Sequence, residues 1–179
     1  MKLLASLVDT KGKVLVPDFY EDVAPVTEQE RKLYESIDYQ INKYREAIGL
    51  PSLLANSGDE LLMQRWRFPT LSIHHISCCG DGNPTIIPRT VKARISCRVV
   101  PNQSPQKIYQ LVSEHISQIF RSFESSNLLT VNCPRQGDWW LADLNSKYFQ
   151  AAEEAIKKTW NIEQVMKLKE GGKFFCHKI

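Results

Sequence analysis

The chain has 179 residues, of which 42% are hydrophobic and 24% are charged, and its formal net charge is +3. These values fit a soluble globular protein of one domain or one and a half, and the charge is far below the basic bias of a dedicated nucleic-acid binder. No segment approaches the roughly 20 consecutive apolar residues of a membrane-spanning helix, so we expect neither a nucleic acid nor a membrane as a partner.

The cysteine content argues against a secreted protein. There are five cysteines, two of them adjacent at Cys78 and Cys79, whereas a secreted disulfide framework usually has an even number. The short apolar run at the N-terminus is interrupted by Asp9, and no signal-peptide cleavage site follows it. We therefore expect reduced thiols and a cytoplasmic location.

Shorter elements surround the first clear helix. Residues 1–8 have the spacing of the last turns of a helix. After the clear helix, residues 59–65 predict a short second helix, and residues 70–76, TLSIHHI, predict a strand. The segment CCGDGNP, residues 78–84, consists of turn-forming residues and is interpreted as a loop.

The clear helix is predicted to begin after Thr27. Glu30 follows three residues later, so the two residues can form a reciprocal capping box. Apolar side chains then recur at intervals of three and four residues as far as Ile48, which is typical of one buried helix face. Gly49 and Pro51 end the predicted helix.

The next strand has two chemically different faces. Residues 85–105 read TIIPRTVKARISCRVVPNQSP, and from residue 91 every second side chain is apolar. This alternation predicts a strand with one buried face. The apolar set is Val91, Ala93, Ile95, Cys97 and Val99, and the intervening set is Lys92, Arg94, Ser96 and Arg98.

The second half of the chain continues with a strongly periodic helix. Ser104 and Pro105 are a favourable N-cap and first helical residue, and the apolar stripe after them extends to Phe123. Residues 128–133 then predict a strand, residues 145–160 a third long helix, and residues 164–168 a last strand.

The order of these elements favours an α+β protein. An antiparallel sheet covered on one face by helices accounts for strand, strand, helix and strand with helical segments before them. We expect the odd-numbered residues of the strand at 91–99 to pack under the helices and its even-numbered residues to face outward.

The cationic face of that strand has two interpretations. Charged side chains on an outward sheet face are usually solvated. Alternatively, the face binds an anion, since the planar fork of an arginine can hold a carboxylate through two parallel hydrogen bonds. The pattern alone favours the solvated face for Lys92, Arg94 and Arg98.

Metal binding is not favoured by the residues. The segment HHISCC places four potential ligands within six positions, but His74 and His75 should point to opposite faces of a strand, and the spacing differs from that of structural zinc sites. Glu153 and Glu154 are neighbours on a lysine-rich helix, which favours a solvated surface. No catalytic triad, HExxH motif or phosphate-binding glycine loop is present.

Five segments, in order from residue 1 to about 172, together resemble one enzyme family. They are LASLVDTKGKVLVP, VAPVTEQERKLY, LLMQRWRFPTLSIH, TIIPRTVKARISCRVVPN and KEGG. The family is the zinc aminopeptidase-like family that includes cytosolic non-specific dipeptidase, carnosine dipeptidase, aminoacylase and bacterial carboxypeptidases with a lid. The chain is most similar to fungal dipeptidases and to dipeptidase-like subunits of the fungal glutathione-degrading complex.

The resemblance implies a two-domain organisation. A catalytic domain binds two zinc ions, and an inserted ferredoxin-like βαββαβ lid mediates dimerisation. Residues 1–136 match the lid, without its first strand and most of its first helix, and residues 137–179 match the start of the second half of the catalytic domain. In the family, a metal-bound hydroxide attacks the peptide carbonyl and a glutamate shuttles the proton.

The resemblance also implies substrate-binding residues. Arg98 matches the arginine that holds the C-terminal carboxylate of the substrate, and Thr85 matches a threonine that reaches the substrate. Gly171 and Gly172 match a Gly-Gly pair that the family continues with Ser or Thr. Here Lys173 follows instead, which changes the chemistry expected at that position.

The family's zinc ligands match no residue of this chain. We therefore expect a fragment of a dipeptidase or carboxypeptidase that binds no zinc and hydrolyses nothing alone. The alternative is a dimerisation module that pairs with itself or with a full-length relative, through its sheet edge and the helix at 104–124. An RNA-binding domain is disfavoured because the central strand lacks the aromatic side chains on which bases stack.

Overall fold

The computed structural model describes residues 1–78, 85–167, 170–171 and 173–178, the last two ranges by their backbone. The chain divides into two compact units. The sheet unit comprises Met1–Val23, Pro69–Trp139 and Lys173–Ile179, and the helical unit comprises Ala24–Phe68 and Trp140–Gly172. No helix within the described ranges is long and apolar enough to cross a membrane.

Six helices and six strands are assigned in the described ranges. The helices are α1 (Lys2–Ala5), α2 (Glu28–Glu35), α3 (Ile41–Ala47), α4 (Gly58–Trp66), α5 (Pro105–Ser122) and α6 (Lys147–Trp160). The strands are β1 (Thr70–Cys78), β2 (Val91–Val99), β3 (Asn132–Arg135), β4 (Trp140–Leu141), β5 (Glu170–Gly171) and β6 (Lys173–Lys178).

The sheet unit contains a four-stranded antiparallel sheet in the order β1-β2-β6-β3. This architecture confirms the predicted α+β class with an antiparallel sheet. The strand predicted at 70–76 is β1, and the strand predicted at 91–99 is β2. The position of β6 between β2 and β3 was not predicted, because no pattern in KFFCHK distinguishes a strand in this sheet from any other extended segment.

One face of the sheet packs under α5. The side chain of Ser104 accepts a hydrogen bond from the backbone N–H of Lys107, which confirms the predicted N-cap. Helix α5 buries Ile108, Val112 and Ile116 in one cluster with Ile95, Cys97 and Val99 of β2, and Ala93 packs against it. The prediction that every odd-numbered residue of β2 is buried is wrong for Val91, the first residue of the strand, which is 59% exposed. The cluster also contains Leu4, Leu7, Val14, Val16, Phe19 and Leu71. Burial of this apolar surface is the main source of stability of the sheet unit.

The prediction that the even-numbered residues of β2 all face solvent is wrong for two of them. Ser96 is 2% exposed and Arg98 is 8% exposed. Strand β2 is an interior strand, flanked by β1 and β6, and on this face Ser96 Oγ is hydrogen-bonded to His74 Nε2. Lys92 and Arg94, nearer the other end of β2, are exposed as predicted.

The single helix predicted from Thr27 to Ile48 is two helices, α2 and α3. The Thr27 side chain accepts a hydrogen bond from the Glu30 backbone N–H, as predicted, but α2 ends at Glu35. The hydroxyl of Ser36 donates to the Leu33 carbonyl oxygen, and such local bonds compete with continued helix. The non-helical turn that follows lets Ile37 and Tyr39 pack against the core of the helical unit.

A small core and a buried ion pair hold the helical unit together. The buried residues of that core are Tyr34, Leu62 and Met63. The guanidinium of Arg67 is paired with the carboxylate of Glu30 and also donates to the carbonyl oxygen of Ala24 at 2.9 Å. Because both charged side chains are about nine-tenths buried, removal of either one leaves the other charge in a poorly solvated place.

The remaining element predictions are partly correct. The short helix near 59–65 is α4, the long helix near 145–160 is α6, and residues 1–8 contain α1. The strand predicted at 128–133 begins later, as β3 at Asn132. Residues 164–167 form no strand, and Leu168 lies outside the described residues, as do residues 79–84 of the predicted loop.

Candidate functional site

The even-numbered residues of β2 and their partners on β1 form a polar surface on the sheet. In the antiparallel register, Arg98 lies opposite Thr70, and Ser96 lies opposite Ser72. Residues directly opposite each other in an antiparallel pair project from the same face. We call this surface the polar strand face. Its members are Thr70, Ser72, His74, His75 and Ser77 of β1 and Lys92, Arg94, Ser96 and Arg98 of β2.

A bulge in β1 brings both histidines to the polar strand face. The register shifts between Ile73 and His75, so that His75 lies opposite Arg94. His74 Nε2 is hydrogen-bonded to Ser96 Oγ at 2.5 Å, which places it over the same face. The prediction that His74 and His75 point to opposite faces is therefore wrong. The physical reason is the extra residue of the bulge, which breaks the alternation of a regular strand and re-aims a side chain.

Exposure decreases along the polar strand face. Arg94 and His75 are exposed, whereas Ser96 and Arg98 are buried. A carboxylate that reaches a guanidinium in a partly desolvated place is attracted more strongly than at an exposed arginine, because the effective dielectric constant is lower. Of the two arginines, Arg98 is therefore the better candidate for an anion site, and Arg94 fits the solvated interpretation.

The strand end that carries Arg98 is fixed by Gln103. The Gln103 side chain is buried, at 1% exposure. Its Oε1 accepts the backbone N–H of Val100 at 3.1 Å, and its Nε2 donates to the carbonyl oxygen of Phe19 at 2.7 Å. Asn102 has a φ of 75° in the same turn, a left-handed conformation that asparagine tolerates better than most residues. These contacts position the last residues of β2.

Thr85, the second predicted substrate residue, is exposed and lies before the opposite end of β2. Arg98 is near the last residue of that strand, while Thr85 precedes its first residue, Val91. At about 3.3 Å per residue, the strand separates Val91 from Arg98 by roughly 23 Å. The strand itself therefore does not bring Thr85 and Arg98 together.

Gly171, the first residue of the predicted glycine pair, lies in the helical unit. Gly171 belongs to β5 and is registered with Trp140 of β4. Gly172 lies outside the described residues. The structure therefore gives Gly171 a backbone position in a two-stranded antiparallel ladder, and the proposed substrate contact of both glycines stays a prediction.

The described residues do not fit a zinc site. Within the described ranges, no group of three or more His, Cys, Asp or Glu side chains is placed to hold a metal ion. His74 is engaged with Ser96. Glu153 pairs with Lys157 and Lys167, and the hydrogen bonds of these lysines lower the pKa of its carboxyl to about 2. That pairing agrees with the interpretation of this helix surface as solvated charge.

The sequence did not reveal the His74–Ser96 contact. A bulge replaces strict alternation by two residues opposite one, and no residue type in TLSIHHI requires it. The adjacent histidines were the one available signal, since a doubled polar residue in an otherwise alternating strand is consistent with a shift of register.

Comparison with known proteins agrees with this architecture. The peptidase dimerisation domain family matches residues 1–124. Cys-Gly metallodipeptidase DUG1 of Candida albicans is 37% identical over 164 residues, which are 90% of this chain and 34% of that protein. Beta-Ala-His dipeptidase of Rattus norvegicus is 35% identical over 166 residues, 92% of this chain and 34% of that protein. The chain spans about a third of the length of these curated relatives.

A solved structure shows the same fold. The dipeptidase Dug1p of Saccharomyces cerevisiae superposes with a TM-score of 0.87 at 35% identity, covering 97% of this chain and 36% of that chain. The family match extends over more than half of the chain, and the solved structure shares its fold over nearly all of it. The chain belongs to the peptidase dimerisation domain family.

Proposed function

We propose that this chain supplies the dimerisation lid of a zinc-dependent dipeptidase and that Arg98 holds the terminal carboxylate of the peptide substrate. The observation that carries the proposal is the position of Arg98. It is a buried cation on the polar strand face, where His74 and Ser96 form a hydrogen-bonded pair. The curated relatives are named for Cys-Gly and beta-Ala-His, and each of these dipeptides ends in a free carboxylate.

The chemistry of Arg98 suits a carboxylate better than that of the other cations on β2. A guanidinium donates two parallel hydrogen bonds to the two carboxylate oxygens, whereas the ammonium of Lys92 acts as a point charge. Arg94 has the same fork, but its exposure leaves water to compete for it. Among Lys92, Arg94 and Arg98, only Arg98 combines a guanidinium with a buried position on the strand.

We propose that Thr85 acts at the substrate site of a partner subunit. The length of β2 places Val91, its first residue, roughly 23 Å from Arg98, more than the roughly 7 Å that an extended dipeptide spans, and Thr85 precedes Val91 in the chain. A dimer, of this chain with itself or with a related peptidase, allows both residues to serve one substrate. Membership of a dimerisation domain family supports this arrangement.

The catalytic parts of the proposed enzyme belong to other sequence. We propose residues 1–136 as the lid and residues 137–179, with Gly171 and Gly172, as the start of the second catalytic half. Because the described residues do not fit a zinc site, this chain alone is expected to be inactive. Cys-Gly as substrate would place the enzyme in glutathione catabolism, and the free thiols of Cys78, Cys97 and Cys133 support a reducing, cytoplasmic location.

The carboxylate proposal is tested by binding measurements on the purified chain. Cys-Gly and its C-terminal amide are titrated separately while the Arg98 side-chain N–H signals are followed by NMR. We expect Cys-Gly to shift these signals and the amide, which lacks the negative charge, to leave them unchanged. Arg98→Lys should weaken Cys-Gly binding at least tenfold, and the matched control Arg94→Lys should leave it within twofold.

Two results would contradict this proposal. Equal NMR shifts with Cys-Gly and its amide would show that the carboxylate is not recognised. Equal losses of Cys-Gly affinity in Arg98→Lys and Arg94→Lys would show that Arg98 is not the binding residue. Inactivity is tested separately by equilibrium dialysis against zinc and by a Cys-Gly hydrolysis assay. Stoichiometric zinc with peptide turnover would refute the assignment of catalysis to other sequence.

A second candidate function, a stand-alone interaction module, is favoured by the edge of the sheet. Strand β1 is nine residues long and lies at one edge, and Ile73 and Ile76 on it are 37% and 43% exposed. An exposed edge strand is a template for pairing with another chain. Sedimentation tests this function: a chain that stays monomeric and binds no related dipeptidase argues against it.

A further inference from the structure

Strand β6 lies between β2 and β3, two strands that do not pair with each other in the described part of the chain. It pairs antiparallel with β2, with Cys97 opposite Phe175, and antiparallel with β3, with Arg135 opposite Cys176. In the described part of the chain, β3 belongs to this sheet through β6 alone. The last strand of the chain is therefore an interior strand of the sheet.

The space that β6 fills is specific for an extended segment. Adjacent strands lie about 4.8 Å apart, so β2 and β3 are separated by roughly twice that distance, the width of one inserted strand. A segment there meets unpaired backbone N–H and C=O groups on both sides, and these groups are costly to leave without partners near a core. On the β2 side, that core includes the fully buried Ile95, Cys97 and Val99.

The chain path separates β6 from the rest of its sheet. Strands β1, β2 and β3 follow one another within residues 70–135, with α5 between β2 and β3. Strand β6 arrives instead from the helical unit, after α6 and after residues 161–167, which are neither helix nor strand. An interior strand of the sheet unit therefore follows the helical unit in the chain and is not continuous with β1, β2 and β3.

We propose that the space between β2 and β3 is a strand-acceptor site, filled by β6 of the same chain, and that β6 of a second copy of this chain takes the same place in a strand-exchanged dimer. An identical segment reproduces every pairing of β6, so exchange changes only which copy donates the strand. Backbone pairing on both sides provides the recognition, as in strand addition to sheet edges. No substrate is involved, so this inference stands apart from the carboxylate proposal.

The acceptor site is tested with a chain ending at Gly172 and a synthetic peptide of residues 173–179 under reducing conditions. We expect the shortened chain to lose the cooperative unfolding transition of the sheet unit and to regain it when refolded with the peptide. The matched control is the same peptide with Phe175→Pro, which cannot donate a backbone hydrogen bond within an interior strand. That peptide should bind at least tenfold more weakly.

The peptide experiment distinguishes whether the space between β2 and β3 binds an extended segment. Restoration by the native peptide and not by the proline peptide supports it. A shortened chain that unfolds like the full chain and takes up neither peptide overturns it, and so does equal restoration by both peptides.

Exchange between copies is tested on the full chain by sedimentation at increasing concentration. We expect a dimer that excess 173–179 peptide converts to monomers with bound peptide, and that Phe175→Pro in the full chain abolishes. A dimer formed through the β1 edge would resist the peptide. A chain that is monomeric at every concentration, or a dimer unaffected by the peptide, overturns the exchange.

Discussion

Helix α5 in the sheet unit and helix α6 in the helical unit are both long and have one apolar face, but they differ in what covers that face. Helix α5 buries Ile108, Val112 and Ile116, whereas no residue of α6 is buried. On α6, Tyr148 and Trp160 are each 74% exposed. Periodicity therefore predicts the helix in both cases, but burial depends on a complementary surface, which the sheet supplies for α5.

The largest expected effect contrasts one isoleucine on each helix. Ile116→Ala removes a fully buried side chain and leaves a cavity under the sheet, so the free energy of unfolding should fall by about 4 kcal/mol. Ile156→Ala on α6, at 39% exposure, should cost less than about 1 kcal/mol, since little buried contact is lost. Urea unfolding followed by circular dichroism measures both. Similar losses would show that α6 is as well packed as α5.

A buried charge pair provides the next effect, within the helical unit. Glu30→Gln leaves the Arg67 guanidinium buried without its negative partner, and the free energy of unfolding should fall by about 3 kcal/mol. Glu28→Gln is the matched control, an exposed glutamate in the same helical turn, and should change the free energy of unfolding by less than about 0.5 kcal/mol. A loss no larger than that of the control would mean that water solvates the Arg67 guanidinium once the Glu30 charge is removed.

A pH effect in the sheet unit follows from Cys97. Burial raises the pKa of its thiol from 9.0 to about 12. The stability that this neutral thiol contributes is complete below pH 9 and is lost as the pH rises toward 12, because the unfolded chain ionises first. At pH 10.5 the loss should be about 2 kcal/mol relative to pH 8, and Cys97→Ala should remove most of it.

Alkylation gives an independent check of the same thiol. Iodoacetamide reacts with the thiolate, so the exposed Cys78 should be modified before the buried Cys97, as measured by mass spectrometry. Cys97 should react only after urea is added. Modification of Cys97 at the rate of Cys78 in the folded chain would contradict its burial.

The smallest effect concerns Glu153 on the exposed surface of α6. Hydrogen bonds from Lys157 first and Lys167 second lower the pKa of its carboxyl to about 2. The pairing contributes stability above the ordinary pKa of 4.5, and this contribution is lost as the pH falls toward 2. We expect Lys157→Met to raise the pKa of Glu153 more than Lys167→Met does in an NMR titration. The reverse order would assign the main interaction to Lys167.

The sequence predicted well where local pattern and tertiary packing agree. The alternation of β2 and the apolar stripe of α5 face each other, so each pattern is satisfied by the other element. At Ser36 the apolar stripe continued, but a side-chain hydrogen bond and the packing of Tyr39 favoured a turn over a longer helix. Side-chain competition with the backbone is not visible in hydrophobic periodicity.

The candidate site was predicted in part, for a similar reason. Arg98 was identified by the family resemblance, since its position on the cationic face alone favoured solvated charge. Its burial was not predicted, nor was its backbone pairing with β6, a strand more than 70 residues away in sequence. The position of His74 on the polar strand face depends on a bulge in β1, and no residue type in that strand indicates the bulge. Both features are set by long-range backbone pairing, which a period of two residues does not encode.

The buried amide of Gln103 has a consequence for the way the candidate site responds to its surroundings. It links the end of β2 to the Phe19 loop through two neutral hydrogen bonds, neither of which titrates between acid and alkaline pH. Added salt should therefore weaken the attraction between Arg98 and an anion without moving the arginine. Ionic strength would then change the affinity of the candidate site for an anion while the position of Arg98 stays constant.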